Sequence, residues 1–128
     1  MDNLIIEGSK KTPYINFDKN SGIFHIKGRS VPENSYEFYN PLLVWVDEYA
    51  KLSNPSIILK IELDYFNTSS SKFLFEIFKK LKAVAVDNNN EIKVEWYYDD
   101  GDEEMENSGQ DFMDILDIPF SFICVPNE

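Results

Sequence analysis

The sequence predicts an α/β domain built on a mixed β-sheet, with its elements in the order βββαβαβαβ. Three observations lead there. The opening segments are short, alternate apolar with polar residues and are separated by turn residues, which reads as an antiparallel meander. The rest of the chain switches repeatedly between strand-like and helix-like periods, and such units imply parallel neighbours joined by right-handed crossovers. Finally, 128 residues with 43% hydrophobic and 15% aromatic content supply one well-filled core. Residues 1–128 therefore read as a single domain, without linker, repeat or low-complexity segment.

Leu4 to Ile6 forms a first strand candidate. Gly8-Ser9-Lys10-Lys11-Thr12-Pro13 is a turn, and Tyr14-Ile15-Asn16-Phe17 follows as a second strand. Asp18-Lys19-Asn20-Ser21-Gly22 tolerates the positive φ of a hairpin. Ile23 to Gly28 then puts Phe24 and Ile26 on one face, and His25 and Lys27 on the other. Asn34 is placed to cap a helix from Ser35, with Glu37 returning a bond to the cap. Phe38, Leu42, Trp45, Tyr49 and Leu52 fall on one stripe of that helix. Pro41 either kinks it or begins it as the first residue after an Asn40 cap.

Ile57, Leu59, Ile61 and Leu63 alternate with Ile58, Lys60, Glu62 and Asp64, the pattern of a central strand. Tyr65 to Ser71 leads into a second helix whose core side is Phe73, Leu74, Ile77, Phe78 and Leu81. After the turn Asp87-Asn88-Asn89-Asn90, Ile92, Val94, Trp96 and Tyr98 mark another strand. Asp99 to Glu104 is an acidic turn into a third helix, with Met105, Phe112 and Leu116 inward and carboxylates near its positive N-terminal end. Pro119 stops that helix, and Phe120 to Val125 is the last strand.

Composition excludes several functions. The net charge of −11, from 23 acidic and 12 basic residues, repels phosphate backbones and anionic lipid, so no nucleic acid and no membrane partner is expected. No segment is long and apolar enough to span a bilayer, and the N-terminus lacks a secretory pattern, which points to the cytoplasm. A lone cysteine, Cys124, permits no intrachain disulfide or Cys-x-x-Cys metal site, and is expected to be a small buried residue of the last strand. His25 is the only histidine, so no His-pair metal site exists, and its strand position predicts an exposed side chain. The run 99–104 fails the EF-hand pattern, which would need oxygen ligands at Trp96 and Tyr98 and a glutamate at Asn107. No phosphate-binding or nucleophile-elbow motif occurs, and neither a metal nor a cofactor is expected.

Two candidate sites remain. Glu62 and Asp64, two apart on one strand face, form a possible carboxylate pair for a small enzyme, against the plainer reading of a charged outer face. The other is Asn67-Thr68-Ser69-Ser70-Ser71, with four consecutive hydroxyl side chains at the entry to a helix. One of these hydroxyls can cap the helix. One can also accept a phosphate, because the N-terminal end of a helix offers unpaired N–H groups and a positive dipole.

The chain resembles the SiaC-type bacterial regulatory phosphoproteins. The resemblance runs through Ile6-Glu7-Gly8 with Thr12-Pro13, Arg29-Ser30-Val31-Pro32-Glu33-Asn34 with Phe38-Tyr39, Tyr65-Phe66-Asn67-Thr68-Ser69-Ser70-Ser71-Lys72, Trp96-Tyr97-Tyr98, and Pro119-Phe120. It implies a STAS-like fold, similar to that of bacterial anti-sigma-factor antagonists, and a non-catalytic, partner-switching role. A Ser/Thr protein kinase would phosphorylate Thr68, a protein phosphatase would reverse this, and one form would bind an effector, similar in the family to a diguanylate cyclase. Asn67, Thr68, Ser69 and Ser70 are the implied partner-binding residues. A constitutive adaptor of the same fold, never phosphorylated, is the alternative.

Overall fold

The computed structural model describes residues 1–127. Six strands form one sheet in the order β1 (Leu4–Ile6), β2 (Tyr14–Phe17), β3 (Ile23–Ser30), β4 (Ile57–Phe66), β5 (Ile92–Asp99) and β6 (Phe120–Val125). β1, β2 and β3 pair antiparallel, and β3 to β6 run parallel. Helices α1 (Ser35–Tyr49), α2 (Thr68–Asp87) and α3 (Glu103–Leu116) fill the three crossovers. Because the parallel strands advance in one direction, right-handed crossovers put every helix on the same face of the sheet. The other face is left bare.

The burial pattern follows from that asymmetry. Ile15, Phe17, Phe24, Ile26, Leu59, Ile61, Val94 and Trp96 point under the helices and are fully buried. Their strand neighbours on the bare face are Asn16, His25, Lys27, Lys60, Glu62, Glu95 and Tyr97. Polar pairs join those strands: His25 Nε2 lies 3.2 Å from Glu62, Lys27 Nζ 3.9 Å from Glu62, and Lys60 Nζ 3.9 Å from Glu95. His25 is thus half-buried and paired, also meeting the Tyr14 ring edge-on, and not the free exposed side chain expected. Solvated pairs of this kind add little stability.

Asn34 caps α1 as predicted, its Oδ1 accepting the Glu37 N–H at 3.0 Å. The reciprocal bond from the Glu37 carboxylate is not made among the described residues. Pro41 lies inside a continuous helix. It is exposed there, so the carbonyl it fails to serve can turn to water. The buried stripe is Tyr39, Leu42, Val46 and Tyr49, rotated from the expected one, and Leu52 lies beyond the helix, exposed.

β4 is longer than its sequence pattern. The register with β3 shifts between Gly28 and Arg29, where Gly28 pairs with Leu63 and Arg29 with Tyr65, so Asp64 is an extra, bulged residue. Gly28 has φ +118, a backbone position closed to most side chains. Beyond the bulge Tyr65 points outward and Phe66 returns inward against Trp96 and Phe112. At the far edge Gly109 of α3 lets the Trp96 and Phe122 rings close in: a Cβ there would sit 2.7 Å from both. Cys124 is exposed, contrary to expectation, because β6 is the edge strand and its end runs past the cover of the helices.

Candidate functional site

The start of α2 is held by two layers of hydrogen bonds. Asn67 is the cap: its Oδ1 accepts the Ser70 N–H at 2.9 Å and the Ser69 hydroxyl at 3.1 Å. The expectation that one of the four hydroxyls caps the helix is therefore corrected. Ser69 in turn meets the Ser35 hydroxyl of α1 at 2.5 Å, tying the two helix starts together.

Beneath that layer lies a buried network. Ser30, Tyr39 and Ser70 are each 0% exposed. Ser70 Oγ donates to the Ser30 carbonyl at 3.1 Å, and Ser30 Oγ donates to Ser70 Oγ at 2.8 Å. Each hydroxyl has one proton, so the Tyr39 hydroxyl is left to donate to Ser30 Oγ, at 2.5 Å. Burial raises the pKa of Tyr39, with the serine bonds opposing it, so the phenol stays a donor at neutral pH. The Asn67 N–H also reaches the Ser30 carbonyl, at 3.1 Å. The end of β3, the start of α1 and the start of α2 are in this way locked at one point.

The sequence-predicted site residues divide across that lock. Thr68 is exposed, and its hydroxyl has no hydrogen-bond partner among the described residues. Ser69 is exposed and braced, and Asn67 is half-buried as the cap. Ser70 was expected at the partner surface but is enclosed, since its hydroxyl is used up in the network; it supports the turn and cannot touch a partner. Two exposed aromatic side chains on adjoining segments were not marked by the motif: Tyr36, 63% exposed, next to the Ser35 that meets Ser69, and Tyr65, 47% exposed, three residues before Thr68, with the Arg29 guanidinium 5.4 Å over its ring.

A groove of about 550 Å³ opens beside the same turn, between α2 and α3, with Phe66, Phe73, Phe75, Phe112 and Ile115 as its apolar lining. Ser71 and Lys72, one turn after Thr68, form its near end. The signal for it was present in the sequence: Phe75 and Ile115 are large apolar residues off the core stripes of their helices.

Glu62 and Asp64 do line a common concavity, of about 370 Å³, on the far side of the sheet from the helices. Glu62 is occupied by His25 and Lys27 there, and Asp64 is an exposed bulge residue. No cluster of three or more His, Cys, Asp or Glu side chains fit to hold a metal ion occurs among the described residues. No helix among them is long and apolar enough to cross a membrane.

The chain is thus a mixed α/β scaffold with helices on one face and an outward hydroxyl on a braced helix start, and its class, a regulatory domain, follows from the family it matches. The chain belongs to the SiaC family of regulatory phosphoproteins, whose family model matches residues 6–125. It is 31% identical over 121 residues to an uncharacterised protein of Pseudomonas aeruginosa (strain UCBPP-PA14), covering 94% of this chain and 95% of that one. The structure superposes on SiaC of Pseudomonas aeruginosa with a TM-score of 0.86 at 29% identity, covering 98% of this chain and 100% of the other. It also matches a chain in the crystal structure of the diguanylate cyclase SiaD in complex with its activator SiaC, with a TM-score of 0.85 at 29% identity, over 95% and 99% of the two chains. Its six-stranded mixed sheet and three helices follow the fold of those SiaC structures.

Proposed function

We propose that this domain is a non-catalytic switch of the cytoplasm: a Ser/Thr kinase phosphorylates Thr68, a phosphatase removes the phosphate, and the unmodified form docks onto an effector. The observation that carries the reading is the Thr68 hydroxyl itself, exposed and unbonded on a turn whose capping is done by Asn67. A kinase can take that oxygen without opening any structural bond. A diguanylate cyclase is the expected effector, because SiaC of Pseudomonas aeruginosa is described as the activator of one. Cyclic-di-GMP signalling is then the output.

Phosphorylation adds about −1.5 to −2 charges at the turn. The α2 N-terminus can tolerate a phosphate, so the fold survives, but an effector that closes over Tyr36, Thr68 and Tyr65 must then desolvate a dianion. Docking fails at that point. Thr68→Ala should bind the effector and resist the kinase, whereas Thr68→Asp should bind weakly; both are read by reconstituting kinase, effector and domain. Phosphate incorporated into Thr68→Ala at the wild-type level would overturn the assignment.

A further inference from the structure

We infer that the free edge of β6 is a self-association surface, on which a second copy of this chain adds its own β6 in antiparallel register about Phe122. The two edges of the sheet are built differently. β1 is three residues long and runs straight into Glu7, and short length and a charge both blunt an edge against further pairing. β6 has six residues, Phe120-Ser121-Phe122-Ile123-Cys124-Val125, with no charge, proline or glycine among them. They lie in the longest uncharged run of the chain, 118–127, in a sequence of which 27% is charged. Among the described residues no strand pairs with the outer side of β6. An incoming strand that carried charge would set it against Phe120 and Phe122; another β6 brings none.

The backbone fixes how that second strand is received. The Val94 N–H reaches the Pro119 carbonyl and the Asp100 N–H reaches the Val125 carbonyl, each at 2.9 Å, so residues 119, 121, 123 and 125 turn their polar groups to β5. Phe120, Phe122 and Cys124 alternate with them and therefore aim N–H and C=O groups outward. A two-fold axis through Phe122 sets Phe122 against itself and Phe120 against Cys124, closing about six hydrogen bonds between the copies. The side chains agree with that register. On the helix side, where Phe122 lies under Gly109, the ladder is Phe122 on Phe122 and the Cys124 sulfur on the Phe120 ring; on the bare side Ser121 lies beside Ile123. The contact is isologous, so it uses up both β6 edges and stops at two copies.

Charge sets its strength. The axis puts both α3 helices on the same face of the joined sheet, and each carries Glu103, Glu104, Glu106, Asp111 and Asp114 with no lysine or arginine. Their repulsion acts across the seam through solvent, where salt screens it. A strand-edge contact also buries less than the roughly 1,200 Å² of a standard interface. The dimer is thus weak, half-formed near about 100 µM, and tightens as salt is raised. Thr68 follows β4, two strands in from this edge, so the pairing leaves that turn open and is independent of the switch reading.

Sedimentation velocity of the full-length protein under reducing conditions, between about 10 µM and about 1 mM, tests this. A monomer–dimer equilibrium is expected, at least about threefold tighter at about 0.3 M salt than at about 0.05 M. Ser121→Lys puts a charge on the exposed bare side of the seam and should weaken the dimer about tenfold or more, with an unchanged near-ultraviolet circular dichroism spectrum. Ile5→Lys puts the same charge on the opposite edge, at a side chain 58% exposed, and should leave the dimer as it is. In hydrogen exchange of the wild type, the amides of Phe120, Phe122 and Cys124 should slow as concentration rises, while those of Ser121 and Ile123, already turned to β5, should not change. A chain that stays monomeric at about 1 mM at every salt overturns the inference, and leaves the edge to a strand of another protein. It is equally overturned by a dimer that Ser121→Lys leaves intact or Ile5→Lys abolishes, and by species larger than two copies. Protection that rises at Ser121 and Ile123 but not at their neighbours also overturns it. So does a dimer that reducing agent dissolves, since that is a Cys124 disulfide.

Discussion

The two ends of α1 each bury a tyrosine, and they do so in opposite ways. Tyr49, at the C-terminal end, is 0% exposed among Trp45 and Phe24, and its hydroxyl finds no partner among the described residues. Tyr39, at the N-terminal end, is equally buried, but its hydroxyl enters the Ser30–Ser70 network and its ring stacks on Phe73 of α2 at 5.5 Å. One end is held by apolar packing with a polar atom left over. The other spends its polar atoms on holding the turn that presents Thr68. The difference separates bulk stability from positioning: apolar packing tolerates small shifts, whereas hydrogen bonds of fixed length and direction do not.

Substitutions can break that contrast in order of expected size. Ser70→Ala removes the centre of the network and strands the buried Ser30 hydroxyl, and should cost about 2 to 3 kcal/mol in denaturant unfolding. Asn67→Ala takes away the α2 cap and the anchor of Ser69, for about 1 to 2 kcal/mol. Tyr39→Phe loses one bond and leaves the Ser30 oxygen short of a donor, for about 1 kcal/mol. Tyr49→Phe removes an unpaired group and should cost nothing. Thr68→Ala, which touches no bond, should change stability by less than about 0.5 kcal/mol. If Tyr49→Phe proved as damaging as Tyr39→Phe, the contrast between the two ends would not hold.

Alkaline pH sharpens the same comparison. Burial first, and the Asp18 carboxylate second, push the Tyr49 hydroxyl up to about 12. In the unfolded chain it ionises near its ordinary value of about 10. The native state therefore favours the neutral phenol: its contribution is intact below about pH 10 and is lost as pH rises through about 12. Wild type should lose stability relative to Tyr49→Phe across that window, as read from thermal melts at matched ionic strength.

Much of the framework was legible from local pattern. The alternation of Ile57 to Leu63, the Asn34 cap and the hairpin at Gly22 depend on neighbours in sequence, and each appears where its pattern put it. The candidate turn was legible as a hydroxyl run, but not which hydroxyl did what. Ser70 is turned inward by Ser30 and Tyr39, which come from elsewhere in the chain, so no local rule separates it from Thr68. The Asp64 bulge is likewise fixed by register with β3, and the exposure of Cys124 by its place at the sheet edge. Pro41 could not be assigned from its own residue type, because its tolerance depends on facing solvent.

The central claim is that the free hydroxyl of the braced turn is the one that is modified. Site-resolved mass spectrometry of the protein purified from its native cells, before and after phosphatase treatment, tests it most directly. The account predicts a phosphatase-sensitive phosphate on Thr68 and none on Ser70. A phosphate carried by Ser70, or a protein unmodified at Thr68 under every growth condition in which it is made, would contradict it.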